Sequence, residues 1–165
     1  MAGAYEVPGM QLISQTKNMA CWYASAQMLI QWKRSMTQST LMNHPDPSEL
    51  TETVKWEVLN KGITNPQVVK LALALGLEQV PPLTPTPGYL LRLMQTYGPL
   101  WTNGTSHIVV IAGIDEDNEL LKVYDPWPWS GKPQIAWRSF SWYTGSTPSS
   151  RDISAEVQAV FLYHP

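Results

Sequence analysis

The chain changes character at Pro99. Before it, apolar residues recur at helical spacing between proline-led starts and glycine stops. Beyond it they fall into short, β-branched runs separated by polar turns. The first helix is predicted from Met19 to about Lys33, with Ala20, Ala24, Met28, Leu29, Ile30 and Trp32 on its apolar face. Asp46-Pro47-Ser48-Glu49 is a second start: Asp46 caps, Pro47 suits the first helical position, and Glu49 reaches back to the cap amide. That helix should reach about Asn60, with Gly62 just beyond it. Asn65-Pro66 opens a third through Val68, Val69, Leu71, Ala72 and Leu75, stopped by Gly76. Thr86-Pro87 opens a fourth through Leu90, Leu91, Leu93 and Met94, ended by Gly98.

After Pro99, strands are expected at Leu100-Trp101, His107–Ile114, Glu119–Tyr124, Gln134–Trp137 and Glu156–Tyr163, with residues 1–17 as an extended lead-in. Helices first and strands second predicts an α+β fold: an N-terminal helical half packed on a C-terminal antiparallel sheet. At 165 residues the chain suits one domain, 1–165.

Composition narrows the function. Apolar residues make up 44% and charged residues 15%, enough to bury a core. A net charge of −2 with no basic run gives no footing for nucleic acid. No apolar run approaches the ~18 residues a membrane span needs. The N-terminus lacks a basic region followed by an apolar one, so no signal peptide is read there. The one cysteine, Cys21, cannot staple the chain to itself, which fits a cytoplasmic working compartment.

Cys21 falls in the first turn of the first predicted helix. A thiolate attacks a carbonyl far better than a thiol does, and two devices would favour it here. One is the helix N-terminus, with its unpaired amides; the other is an imidazolium, which His107 could supply. Asp125, in Val-Tyr-Asp-Pro-Trp, is the candidate to orient that ring. A three-residue loop at 116–118 would set 109 opposite 125, leaving His107 and Asp125 diagonal neighbours on one face. A two-residue loop would put them on opposite faces, so the triad requires an odd-length connection or a bulge. The Cys21 amide and the Gln15 side chain are candidate donors to an oxyanion. Trp22 is expected to wall the pocket, and Trp127 and Asn103 are candidate substrate contacts.

Gln15-x5-Cys21-Trp22-x-Ala24, followed by Ser-His-x-Val-Val-x-x-Gly-Ile-Asp and Val-Tyr-Asp-Pro-Trp, resembles the papain-like cysteine peptidases. The bacterial C39-like and C70-like branches are the nearest in pattern, and the resemblance spans residues 15–127. It implies Cys21 as nucleophile, His107 as base and acid, Asp125 as orienter and Gln15 as oxyanion donor. Two departures separate the chain from the plant and lysosomal branch: Asp replaces the usual Asn, and the disulfide cysteines are absent. The resemblance further implies a toxin or effector module, delivered into a target cell by a specialised secretion system. Such a module would cleave an intracellular protein substrate and be blocked by a cognate immunity or inhibitor protein.

Simpler readings stand beside these. A lone cysteine in an apolar helix is usually a small core residue, and an Asp before Pro often just starts a turn. His44 and His164 are read as bystanders; with one Cys and no ligand spacing, no metal site and no cofactor are expected. The same triad could deamidate glutamine or transfer an acyl group to an amine, or attack peptidoglycan. A catalytically inert, peptide-binding relative is the non-enzymatic alternative.

Overall fold

The apolar run at 108–115 becomes the centre of the molecule. In the computed structural model, which describes residues 3–15, 21–37, 72, 75–80, 86–103, 108–139 and 161–165, seven strands form one antiparallel sheet. They are β1 (Tyr5–Glu6), β2 (Glu78–Gln79), β3 (Leu100–Asn103), β4 (Ile108–Asp115), β5 (Leu120–Tyr124), β6 (Ile135–Ser139) and β7 (Phe161–Tyr163). The order is β2-β7-β3-β4-β5-β6. β5 runs along one edge of β4, so β1, which pairs with Ile114 and Gly113, takes the other edge beyond the end of β3. Among the described residues two helices accompany the sheet: α1 (Cys21–Thr37), packed on β3 and β4, and α2 (Pro87–Tyr97), packed on β4.

The expected α+β class is the observed one: helices pack against an antiparallel sheet. One detail differs from a strict two-half division. β1 and β2 come from the N-terminal part and complete the C-terminal sheet: β2 pairs with β7, and β1 satisfies the part of β4 that extends past β3. The predicted helix at 46–60, most of 65–75, the proline-rich join at 81–85 and the start of the closing strand lie outside the described residues.

Local signals that satisfy backbone groups appear as read. Thr86 caps α2 by accepting from the Tyr89 amide at 3.2 Å, with Pro87 at the first helical position. The third predicted helix ends at Gly76, whose φ is +70°, and the Leu77 amide bonds back to the Ala72 carbonyl at 2.9 Å. That six-to-one bond is the Schellman closure, and the buried Ala72 and Leu77 supply its apolar contact.

Gly98 ends α2 for two reasons. Its φ is +89°, and a Cβ there would lie 2.2 Å from the Trp32 ring of α1. Trp32 is itself pinned, its Nε1 donating to the Pro8 carbonyl at 2.7 Å. The ring therefore locks α1, the end of α2 and the N-terminal segment to one another.

The β4–β5 connection corrects the expected three-residue loop. Asp115 pairs with Leu120, so four residues, 116–119, make the turn. Asp115 starts it by accepting from the Asn118 amide at 3.1 Å and from its side chain at 2.8 Å. The side-chain bond from Asn118, and after it the backbone bond, hold the Asp115 carboxyl below its ordinary range. An even loop would place the odd-numbered ends of the two strands out of phase. A bulge corrects this: Gly113 pairs with Lys122, but Ile111 pairs with Val123, leaving Ala112 as the extra residue. The Ala112 carbonyl is not wasted, because the Val7 amide donates to it at 2.9 Å. Below the bulge, Val110 pairs with Tyr124, which is the register the three-residue loop would have produced.

No helix among the described residues is long and apolar enough to cross a membrane. Replacing Gly98 with alanine should cost ~3 kcal/mol through the forced positive φ and the clash with Trp32. Urea unfolding of the purified chain checks this; a loss below ~1 kcal/mol would mean that the Trp32 ring moves aside freely.

Candidate active site

One end of the sheet gathers the chemistry. It is built from the start of β4, the end of β5 and the approach to β6. Cys21 is the first residue of α1 and is half-buried. Its neighbours fix the helix in place. The Trp22 carbonyl accepts from Trp101 Nε1 at 3.0 Å, tying the first turn of α1 to β3. Ser25, one turn after Cys21 on the same helical face, points its hydroxyl at the Ile108 carbonyl at 3.4 Å, a long contact. Ile108 opens β4 and directly follows His107, which lies outside the described residues.

Asp125 follows the last residue of β5 and is half-buried. Its amide donates to the Gln134 carbonyl at 2.8 Å, continuing the β5–β6 pairing by one step. One carboxylate oxygen, Oδ1, accepts from the Trp127 amide at 2.9 Å. This two-residue link is an Asx turn, and it aims the carboxylate while Pro126 carries the chain away. The simple reading of Asp125 as a turn starter is therefore true of its Oδ1.

Gln15 is only 3% exposed although its neighbours in the lead-in segment are more open. Its backbone amide donates to the Pro126 carbonyl at 2.8 Å, which sets it beside the Asp125 turn. Gln15 and Asp125, 110 positions apart in the chain, thus lie against the same short stretch of backbone.

The expected substrate contacts divide. Trp22 has no exposed surface; its ring is core, packed edge-on to Tyr23 at 5.6 Å, so it supports the helix tip from within. Trp127 is half-buried and meets the ring of Trp129 edge-on at 4.8 Å, and Trp129 is 51% exposed. Asn103 is the last residue of β3, paired with Ile108. His164, at the far end of the chain, is buried, and His44 lies outside the described residues. Among the described residues no group of three His, Cys, Asp or Glu is placed to hold a metal ion.

Sequence reasoning missed four contributors: Ser14, Ser25, Trp101 and Gln134. Trp101 read only as strand. The others are small or polar residues whose importance comes from partners 83 to 120 positions away, and no local pattern announces such a partner.

A helix that begins at a thiol and packs on an antiparallel sheet is the architecture of papain-like cysteine peptidases. The family described as papain-like cysteine protease AvrRpt2, Peptidase_C70, matches residues 1–147, and the chain belongs to it. It is accordingly a papain-like cysteine protease, a hydrolase. Two solved structures share its fold. UfSP from C. elegans superposes with a TM-score of 0.64 at 17% identity, covering all of this chain. This chain spans 35% of that one, about a third of its length. The peptidase domain of Streptococcus ComA, a bi-functional ABC transporter involved in a quorum-sensing pathway, gives a TM-score of 0.55 at 20% identity. There the match covers 94% of this chain and 99% of the other. None of the curated proteins matches the chain.

The Asx turn makes a prediction about Asp125. Asparagine keeps the Oδ1 acceptor, whereas alanine removes it. Asp125→Ala should therefore be less stable than Asp125→Asn by ~1 kcal/mol in urea unfolding. Equal stability of the two variants would mean that the Trp127 amide finds another acceptor.

Proposed function

We propose that the chain is an endopeptidase working through Cys21, His107 and Asp125, with Gln15 and the Cys21 amide as oxyanion donors. One observation carries this reading: Gln15 and the Asp125 turn are hydrogen-bonded together at the end of the sheet where the Cys21 helix meets the first residue of β4. The register supports the rest. Val110 faces Tyr124, the last pair of the β4–β5 ladder. That phase is the one the triad requires, and His107 itself lies outside the described residues.

The mechanism follows from these roles. The imidazole of His107 takes the Cys21 proton, and sulfur attacks the substrate carbonyl. The negative oxygen of the tetrahedral intermediate is met by the Cys21 amide and the Gln15 side-chain amide. The imidazolium then donates its proton to the leaving amine, giving a thioester. A water deprotonated by the same ring hydrolyses that thioester and restores the thiol. Asp125 Oδ1 is engaged by the Trp127 amide, so Oδ2 is the oxygen assigned to the ring. The half-buried Trp127 and the exposed Trp129 beside it are suited to flank an apolar or aromatic substrate side chain.

The biological setting proposed is that of a toxin or effector, delivered into a target cell, cutting an intracellular protein and neutralised by an immunity protein. What supports an intracellular site of action is the lone cysteine, which allows no disulfide within the chain.

Cys21→Ser should be nearly inactive, since a hydroxyl is not ionised by this arrangement; retained activity would point to another nucleophile. Gln15→Ala should lose ~10²–10³ in rate with Cys21 still open to alkylation. Activity should follow a bell-shaped pH profile, its acid limb set by formation of the thiolate–imidazolium pair and its alkaline limb by loss of the imidazolium proton. A flat profile between about pH 5 and 9 would count against the pair. Terminal-peptide proteomics on cells making wild type or Cys21→Ala gives the decisive comparison. New protein termini confined to wild type support an endopeptidase. A mass gain of about one dalton per glutamine, or a cross-link, without new termini would replace it with deamidation or acyl transfer.

A further inference from the structure

The two strands of backbone that bear Gln15 and Asp125 are joined by a third residue, Gln134. Its Nε2 donates to Ser14 Oγ at 2.9 Å and to the Asp125 carbonyl at 3.2 Å. Its own carbonyl accepts the Asp125 amide at 2.8 Å, so the Asp125 backbone is gripped at both ends by one residue. The orientation of the side-chain amide is fixed by chemistry. A main-chain carbonyl can only accept, so the nitrogen must face Asp125, while the serine oxygen takes the second N–H.

We propose that Gln134 is a positioning residue for catalysis, clamping the Gln15 segment to the Asp125 turn so that the carboxylate keeps its aim on the ring of His107. This rests on the triad reading above. The physical argument is one of rigidity. Pro126 and Pro128 bring no main-chain N–H to the turn, so the side-chain amide of Gln134 supplies a donor there that the backbone lacks. The clamp crosses 120 positions of sequence between Ser14 and Gln134. A shift of a fraction of an ångström there moves the carboxylate off line, and such misplacements are costly in rate.

The test uses the purified full chain and iodoacetamide, which reads Cys21 without a known substrate. Alkylation rate is measured across about pH 4 to 9. Wild type should react faster at acid pH than a free thiol does, because the imidazolium held by Asp125 keeps sulfur ionised. Gln134→Met keeps the length and removes the donor. It should lower the rate near pH 5 roughly tenfold, with the chain still folded and its unfolding midpoint lowered only by the loss of those hydrogen bonds. Ser14→Ala removes one arm of the clamp, should show a smaller loss in the same direction, and decides the matter if Gln134→Met does not fold. In an Asp125→Ala background, Gln134→Met should cause no further loss, since both act on the same ring. A wild-type profile in both Gln134→Met and Ser14→Ala overturns the clamp while leaving the triad standing. So does an equal, additive loss in the Asp125→Ala background. Absence of acid-side reactivity in wild type overturns the triad reading itself.

Discussion

The proposed triad depends on the phase of β4 against β5. Side chains alternate faces along a strand, so a slip of one residue turns every functional group on it to the wrong side. The four-residue turn at 116–119 would by itself produce that slip. Ala112 removes it by standing out of the ladder as an extra residue. The bulge is in turn held by the N-terminal strand, whose Val7 amide satisfies the Ala112 carbonyl. The first residues of the chain thus stabilise a feature that sets the register 100 residues later, without contributing a reacting group.

A second constraint is how the helix bearing Cys21 is held against that register. α1 is anchored at both ends by tryptophan N–H groups. Trp101 reaches the carbonyl of Trp22 at its start, and Trp32 reaches Pro8 near its finish while filling the space left by Gly98. Indole N–H groups suit this task because each ring buries a large apolar body and still supplies one directed donor. The helix bearing Cys21 is therefore fixed in rotation as well as in position. The large share of tryptophan in so short a chain finds part of its reason here.

Some of this was legible from the residues alone. α2 was, cap to cap, because Thr86, Pro87 and Gly98 act on backbone groups within a few positions of themselves. The Gly76 stop was legible for the same reason. The β4–β5 pair was visible in its apolar run and acidic turn, and the need for an odd loop or a bulge could be stated in advance. Which of the two occurs could not be read, because Ala112 sits in Val-Val-Ile-Ala-Gly-Ile with nothing local to mark it. Trp22 was expected at a pocket wall, and its side chain is fully buried; sequence places a residue near a site but not the direction its ring takes.

The order of chemical groups along the chain, the caps of α2 with the Gly76 stop, and the family were determined by the sequence itself, since each rests on residue type and short-range spacing. Tertiary structure decided the rest: the bulge, the Trp101 and Trp32 anchors, and the meeting of Gln15, Gln134 and the Asp125 turn. These are pairings between groups 9 to 120 positions apart. A hydrogen bond of that kind is specified by where two segments come to rest once the core has closed, and neither segment carries a record of the other.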